Sequence, residues 1–141
     1  MAEAPTNATI AAIEQHLRAR HREYTKQLDG LDEAGLNWRP AADTNSIFEI
    51  LTHALDTERE LVSSAAGSRV EPENHFGVRG TVAQATDRLS RAGQDLDEHL
   101  PKVDDVSLEI EVFRRQRTIA SALTLAVSHA AEHVGHIQLT R

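Results

Sequence analysis

Three histidines near the end of the chain, His129, His133 and His136, have the spacing of a shared face on a helix. Residues four apart lie one above the other on an α-helix, so His129 and His133 point the same way, close enough to share one ion. His136, three residues after His133, stays near that face. Ile119, Leu123, Ala126, Val127, Ala130, Val134 and Ile137 surround them with an apolar pattern, which places the histidines on or beside the buried side of the helix. Paired imidazoles of this kind suit a divalent transition metal. One helix cannot complete such a site, and His53, three residues after Ile50 on another amphipathic segment, is expected to face inward and supply a third ligand. Three neutral imidazoles would hold an ion at ~2.0–2.1 Å and leave a position open for water or a thiolate, as catalytic sites do. His136 is expected to hydrogen-bond a ligand, because three histidines on one helix rarely all reach one ion.

Other motifs compete for these residues. His129-Ala-Ala-Glu132-His133 fits the H-x-x-E-H pattern of inverted zinc proteases. Those enzymes need a distant downstream carboxylate, and only eight residues follow His133. Glu132 lies roughly 60–100° around the helix from the two histidines, which leaves it a candidate nearby base rather than a ligand. Glu132 and His136 are the only candidates for direct catalytic roles. Ferritin-like sites need Glu-x-x-His pairs that no helix here supplies. A hemerythrin-like site would want a carboxylate four residues after His53, where Thr57 stands. His21 falls within an apolar stripe and reads as a hydrogen-bonded core histidine, while His16, His75 and His99 read as exposed.

The elements that must position these groups follow from periodicity. Residues 7–30 carry Ile10, Ile13, Leu17, His21, Tyr24 and Leu28 at three- and four-residue steps, a helix capped by Thr6 or Asn7 and closed by Gly30. Residues 31–43 form a connector in which Trp38 is expected to plug the end of the core. Ser46-x-x-Glu49 is a capping box opening a second helix, whose stripe of Ile47, Ile50, Leu51, Ala54, Leu55, Glu58, Leu61 and Val62 runs to a stop at Gly67. Residues 67–80 are a loop. Thr81-x-x-Gln84 opens a third helix, with Val82, Ala85, Leu89, Ala92, Leu96 and Leu100 inward, and Pro101 ends it. Residues 107–113 alternate strictly, Leu108, Ile110 and Val112 against Glu109 and Glu111, as a strand does. That strand needs a partner from the 67–80 loop or from another copy of the chain. Thr118 caps the last helix. Four helices of about twenty residues with one short β segment define an all-α, four-helix bundle.

At 141 residues the chain is expected to form a single domain spanning 1–141. A net charge of −7 argues against nucleic acid as a partner, although Arg114, Arg115 and Arg117 form a local basic group able to receive an anionic cofactor or substrate. No run approaches a membrane span and no signal peptide is evident, so a cytoplasmic location is expected. Cysteine is absent, which removes disulfides, cysteine-type zinc sites and any thiol nucleophile of the chain's own.

Four features in order resemble the DinB/YfiT-like superfamily of metal-dependent bundle proteins. Leu36-Asn-Trp38-Arg-Pro40 looks like that family's L-x-W-x-P, and Ser46-Ile47 followed by His53 looks like its S-I-x-x-x-x-x-H. The 107–113 segment falls where members carry extended chain. His129-x-x-x-His133-x-Gly135-His136 looks like its H-x-x-x-H-x-G-Q close, with histidine replacing the usual glutamine. The resemblance implies an up-down-down-up bundle, frequent homodimers, and a site of His53, His129 and His133 holding zinc, nickel or iron. It also implies a small-molecule substrate and an external low-molecular-weight thiol, of the mycothiol or bacillithiol type, in a transferase or isomerase. A non-catalytic, metal- or ligand-binding stress-response dimer and a metal-dependent hydrolase are the alternatives.

Overall fold

The computed structural model describes residues 8–68 and 78–141. Helix starts are set where side chains satisfy otherwise orphaned backbone N–H groups. Ser46 and Glu49 form a reciprocal capping box at the head of one helix, Thr81 and Gln84 at the head of another, and the Thr118 hydroxyl accepts from the Ser121 amide at a third. Stops follow where a left-handed residue is needed, at Gly30 (φ 75°) and Gly67 (φ 76°). The resulting elements are α1 (Ala8–Leu28), a short α2 (Glu33–Asn37), α3 (Ile47–Ala65), α4 (Val82–His99), a 3-10 turn (Leu100–Lys102), β1 (Glu109–Val112), β2 (Arg115–Thr118) and α5 (Ile119–Thr140). The cap expected at Thr6 or Asn7, the position of His75 and most of the 67–80 loop lie outside the described residues.

The direction of each long helix follows from which core layer its ends join. One layer contains Ile10 and Leu17 of α1, Leu61 and Ala65 of α3, Leu96 of α4 and Ile119 and Leu123 of α5. The other contains Tyr24 and Leu28, Leu51 and Leu55, Ala85 and Leu89, and Val134 and Ile137. Thus α1 and α5 run one way and α3 and α4 the other, giving the up-down-down-up order.

Several local expectations are corrected. The partner of the strand is the segment that follows it: β1 and β2 form an antiparallel hairpin, Glu109 opposite Thr118 and Val112 opposite Arg115. The arginine run is thus a strand, joined to β1 by Phe113 and Arg114 at φ 51° and 63°. Ile110 and Val112 turn inward as alternation requires, but Leu108 precedes the strand and is exposed. Trp38 does not plug the core: it is 54% exposed, while Leu36 is fully buried in its place. Asn37 closes that end, its amide donating to Gly80 O at 2.8 Å and accepting from Gly80 N at 2.9 Å. Gly80 has to be glycine there, since a Cβ would lie 2.1 Å from the Phe48 ring. His99, expected outside, is buried at the end of α4.

Between the two apolar layers lies a pair of buried polar side chains. His21 Nε2 and Glu58 Oε2 are 2.6 Å apart, joining α1 to α3. Removing one partner from such a pair strands the other without water, whereas removing both does not. His21→Leu is expected to lower stability by about 3–5 kcal/mol in chemical denaturation. The double replacement His21→Leu with Glu58→Leu is expected to recover most of that loss.

Candidate metal centre

The antiparallel contact of α3 with α5 brings His53 to His129 and His133. Ring centroids are 5.5 Å apart for His53 and His129, 5.2 Å for His53 and His133, and 4.3 Å for His129 and His133. Each ring offers one nitrogen such that the three lie within 4.8 Å of one another. His129 Nε2 and His133 Nε2 face each other at 3.0 Å. Two ligands on a tetrahedral ion with bonds of ~2.0–2.1 Å stand ~3.3 Å apart, so this donor set fits a single ion with small adjustments. The cluster lies in a surface groove: His129 and His133 are half-buried, and His53, expected to point inward, is exposed on the flank of α3. Ala54, immediately after it, takes the core-facing position.

Burial lowers the proton affinity of the pair on α5. His133 is pushed down to about 4, first by desolvation and then by the neighbouring His129, His53 and His136. His129 is lowered as well, by burial and then by His53. Both imidazoles are therefore held in the neutral form that a metal requires.

Around this group the other candidates take distinct places. His136 is exposed, and its Nδ1 lies 3.2 Å from His133 Nδ1, on the opposite edge of that ring from His129. Glu132 is exposed, with Oε1 3.9 Å from His136 Nε2. Arg114, Arg115 and Arg117 lie in the hairpin, away from the histidines. Thr118, which follows them, is eleven positions before His129, about 16 Å along α5. Reasoning from sequence gave Tyr24 and Glu58 only places in apolar stripes. The Tyr24 hydroxyl donates to Ala130 O at 2.9 Å, tying α1 to the turn of α5 that carries His129. A tyrosine or glutamate on a buried stripe must find a polar partner, and that requirement is the signal that could have marked both. Asp95, Glu98 and His99 also come within 4.8 Å of one another, but Arg59 already holds Asp95 at 2.9 Å.

The fold is a helical bundle that gathers three histidines from two helices in an open groove, a candidate metal site. Residues 15–137 match the DinB superfamily, and the chain belongs to it. Two solved structures share the fold. One is a DinB-like protein from Bacillus cereus, with 18% identity and a TM-score of 0.75 over 91% of this chain and 87% of that one. The other is the DinB-like protein YjoA from Bacillus subtilis, with 17% identity and a TM-score of 0.70 over the same shares of the two chains. No curated protein matches the chain. No described helix is long and apolar enough to cross a membrane.

The depressed affinity of His133 has a consequence in the metal-free protein. Its folded pKa of about 4 lies below the ~6.5 of an unfolded histidine. Between those values the unfolded chain binds a proton that the folded chain refuses, so stability should fall as pH drops through this window and level off below it. Proton-detected titration of the His133 ring should show it neutral at pH ~5, where a free imidazole is mostly charged. A midpoint near ~6.5 would contradict the burial argument.

Proposed function

We propose that this protein binds one divalent ion, zinc, nickel or iron, through His53, His129 and His133, and that it acts on an external low-molecular-weight thiol. The reaction class is transfer of that thiol to an electrophilic small molecule, or thiol-assisted isomerisation of one. The observation that carries this reading is the convergence of three imidazoles from two helices on one solvent-facing point, in a chain without cysteine. When bound, the ion would supply Lewis acidity, lowering the pKa of a thiol so that it is a nucleophile at neutral pH. A closed structural site would not serve, because it leaves no position for an outside ligand.

The chain's own residues divide the remaining work. His129 and His133 are held neutral by burial, so they can bind without first losing a proton. His133 has Nε2 toward the cluster and Nδ1 toward His136. With an ion on His133 Nε2, its Nδ1–H would donate to His136 Nδ1, which would fix the ring and its tautomer, the usual task of a group behind a metal-bound imidazole. Glu132 is exposed, with Oε1 3.9 Å from His136 Nε2 and near enough to act on the charge of His129, so it would be the carboxylate available as a base when the groove holds substrate. The exposed flank of His53 leaves the site open to a small molecule. The arginines of the hairpin would receive anionic groups only on a thiol or substrate long enough to reach them.

Two measurements test the reading. Elemental analysis of purified protein should find about one equivalent of metal, and His53→Ala and His129→Ala should lose it. His136→Ala should weaken metal binding by about 10–100-fold in competition with a chromophoric chelator, while His136→Gln, which still offers an acceptor, should recover most of the affinity. Metal-loaded protein assayed with a panel of thiols and an electrophile should then exceed the rate of the free ion. Absence of metal and unchanged behaviour of the histidine variants would defeat the site, and a loaded protein with no thiol-dependent rate would defeat the chemistry.

A further inference from the structure

Packing accounts for only part of the Leu36-Asn-Trp38-Arg-Pro40 segment. Leu36 fills the core end, and Asn37 exchanges two hydrogen bonds with Gly80. Trp38, the chain's only tryptophan, is left 54% exposed. It lines a cavity of about 590 Å³ together with Arg39, Ser46, Glu49, Val78 and Arg79. That space is within the ~300–1,000 Å³ range of small-molecule sites, where aromatic walls with a few placed polar groups are the usual composition.

The walls are held by contacts that a ligand need not supply. Asn37 and Gly80 clamp two distant segments together; Trp38 follows one of them and Arg79 precedes the other. Arg39 is fixed as well: its Nε donates to Glu49 Oε1 at 3.0 Å, and its Nη2 lies 2.9 Å from the same oxygen. The charge of Arg39 is thereby answered. Arg79 has no hydrogen-bond or ion-pair partner among the described residues. Two guanidiniums and one carboxylate leave the lining with a positive charge in excess, in a chain whose net charge is −7. An open indole face beside an unanswered guanidinium suits a flat anion, whose ring stacks on the indole while its carboxylate accepts two parallel N–H bonds. The cavity also borders the helix face that carries His53. Ser46 and Glu49 precede His53 by seven and four positions, so all three share one side of α3, with Glu49 about 6 Å from His53 along the axis.

We propose that this cavity binds a planar aromatic carboxylate, its ring on the Trp38 indole and its carboxylate on Arg79, and that it presents this molecule to the neighbouring histidine groove as substrate. The second part rests on the function proposed above. The binding itself does not, and needs no metal.

With one tryptophan in the chain, the indole N–H gives a single reporter signal in a nitrogen–proton NMR spectrum. Titrating 2-naphthoate into the metal-free full chain should move that signal saturably. By ligand-observed NMR, 2-naphthalenemethanol, which lacks the charge, and decahydro-2-naphthoate, which lacks the flat ring, should each bind several-fold more weakly. Arg79→Gln should lower 2-naphthoate affinity several-fold and leave the alcohol unchanged. Trp38→Leu should remove the preference for the flat ring. Both positions are exposed, so neither variant should lower the melting temperature. No saturable shift of the indole at millimolar 2-naphthoate would overturn the site. Equal binding of the alcohol would overturn the role of Arg79, and equal binding of the saturated acid that of Trp38. In cobalt-loaded protein the protons of bound 2-naphthoate should relax faster than in zinc-loaded protein, and equal relaxation with cobalt bound would overturn the link to the groove. A protein that takes up no metal would defeat the function proposed above and the presentation of the ligand to it, while the metal-free titration still decides the cavity.

Discussion

The site depends on how closely α3 and α5 approach. Ala54 of α3 and Ala126 and Ala130 of α5 are all buried, and side chains this small permit a close approach of the two axes. Interaxial distance in helix packing is set by the side chains at the contact. The histidines stand next to these alanines in sequence, His53 before Ala54 and His129 before Ala130, so they flank the seam rather than fill it. Close backbones with imidazoles on the flank produce ring separations near 5 Å from two separate helices. A larger residue at Ala54 or Ala130 would move the rings apart before it touched any of them.

The ends of α5 are anchored independently of the histidines. Thr118 caps its start, and the β1–β2 hairpin leads directly into it. At the far end the Arg141 guanidinium donates to the carbonyls of Gln27 and Asp29. Midway, Tyr24 donates to Ala130 O, one residue from His129. The fold therefore fixes the rotation of α5 with contacts that leave the imidazoles unencumbered. Their position is prepared by the packing of α1, and no imidazole has to hold the helix in place.

Much of this was legible in the residues because local chemistry decided it. Capping boxes at Ser46 and Thr81 and left-handed stops at Gly30 and Gly67 are short-range events, and apolar periodicity carried the four long helices. The meeting of His53 with His129 and His133 was also legible, since an i, i+4 pair leaves room for one outside partner. What failed was decided by packing at a distance. Trp38 is displaced from the core end because Asn37 and Gly80 exchange two hydrogen bonds there, and glycine allows the chain to pass over Phe48. Neither contact has a sequence signature, because the partners are 43 residues apart. The hairpin was missed because its turn uses Phe113 and Arg114 in the left-handed region, without the glycine or asparagine that normally marks such a turn. His53 lies outside the wall rather than inside it because Ala54 takes the buried position, a choice that a one-residue rotation of the stripe would reverse.

The buried His21 and the histidines of the groove differ in what stands beside them. In the interior Glu58 stands 2.6 Å from His21. In the groove the ring neighbours are other imidazoles, and the exposed Glu132 opposes the lowering of His129 only after burial and His53 have acted. Desolvation and mutual repulsion then act together on His133, and both favour the uncharged ring. Adding a carboxylate to the groove would oppose both effects, raise the proton affinity of the rings and make protons stronger competitors for their lone pairs. The same bundle can hold a histidine–carboxylate pair in its middle and an imidazole cluster on its flank because α3 sends Glu58 and His53 in directions about 140° apart. That angular separation keeps the carboxylate from neutralising the feature that makes the groove a ligand set.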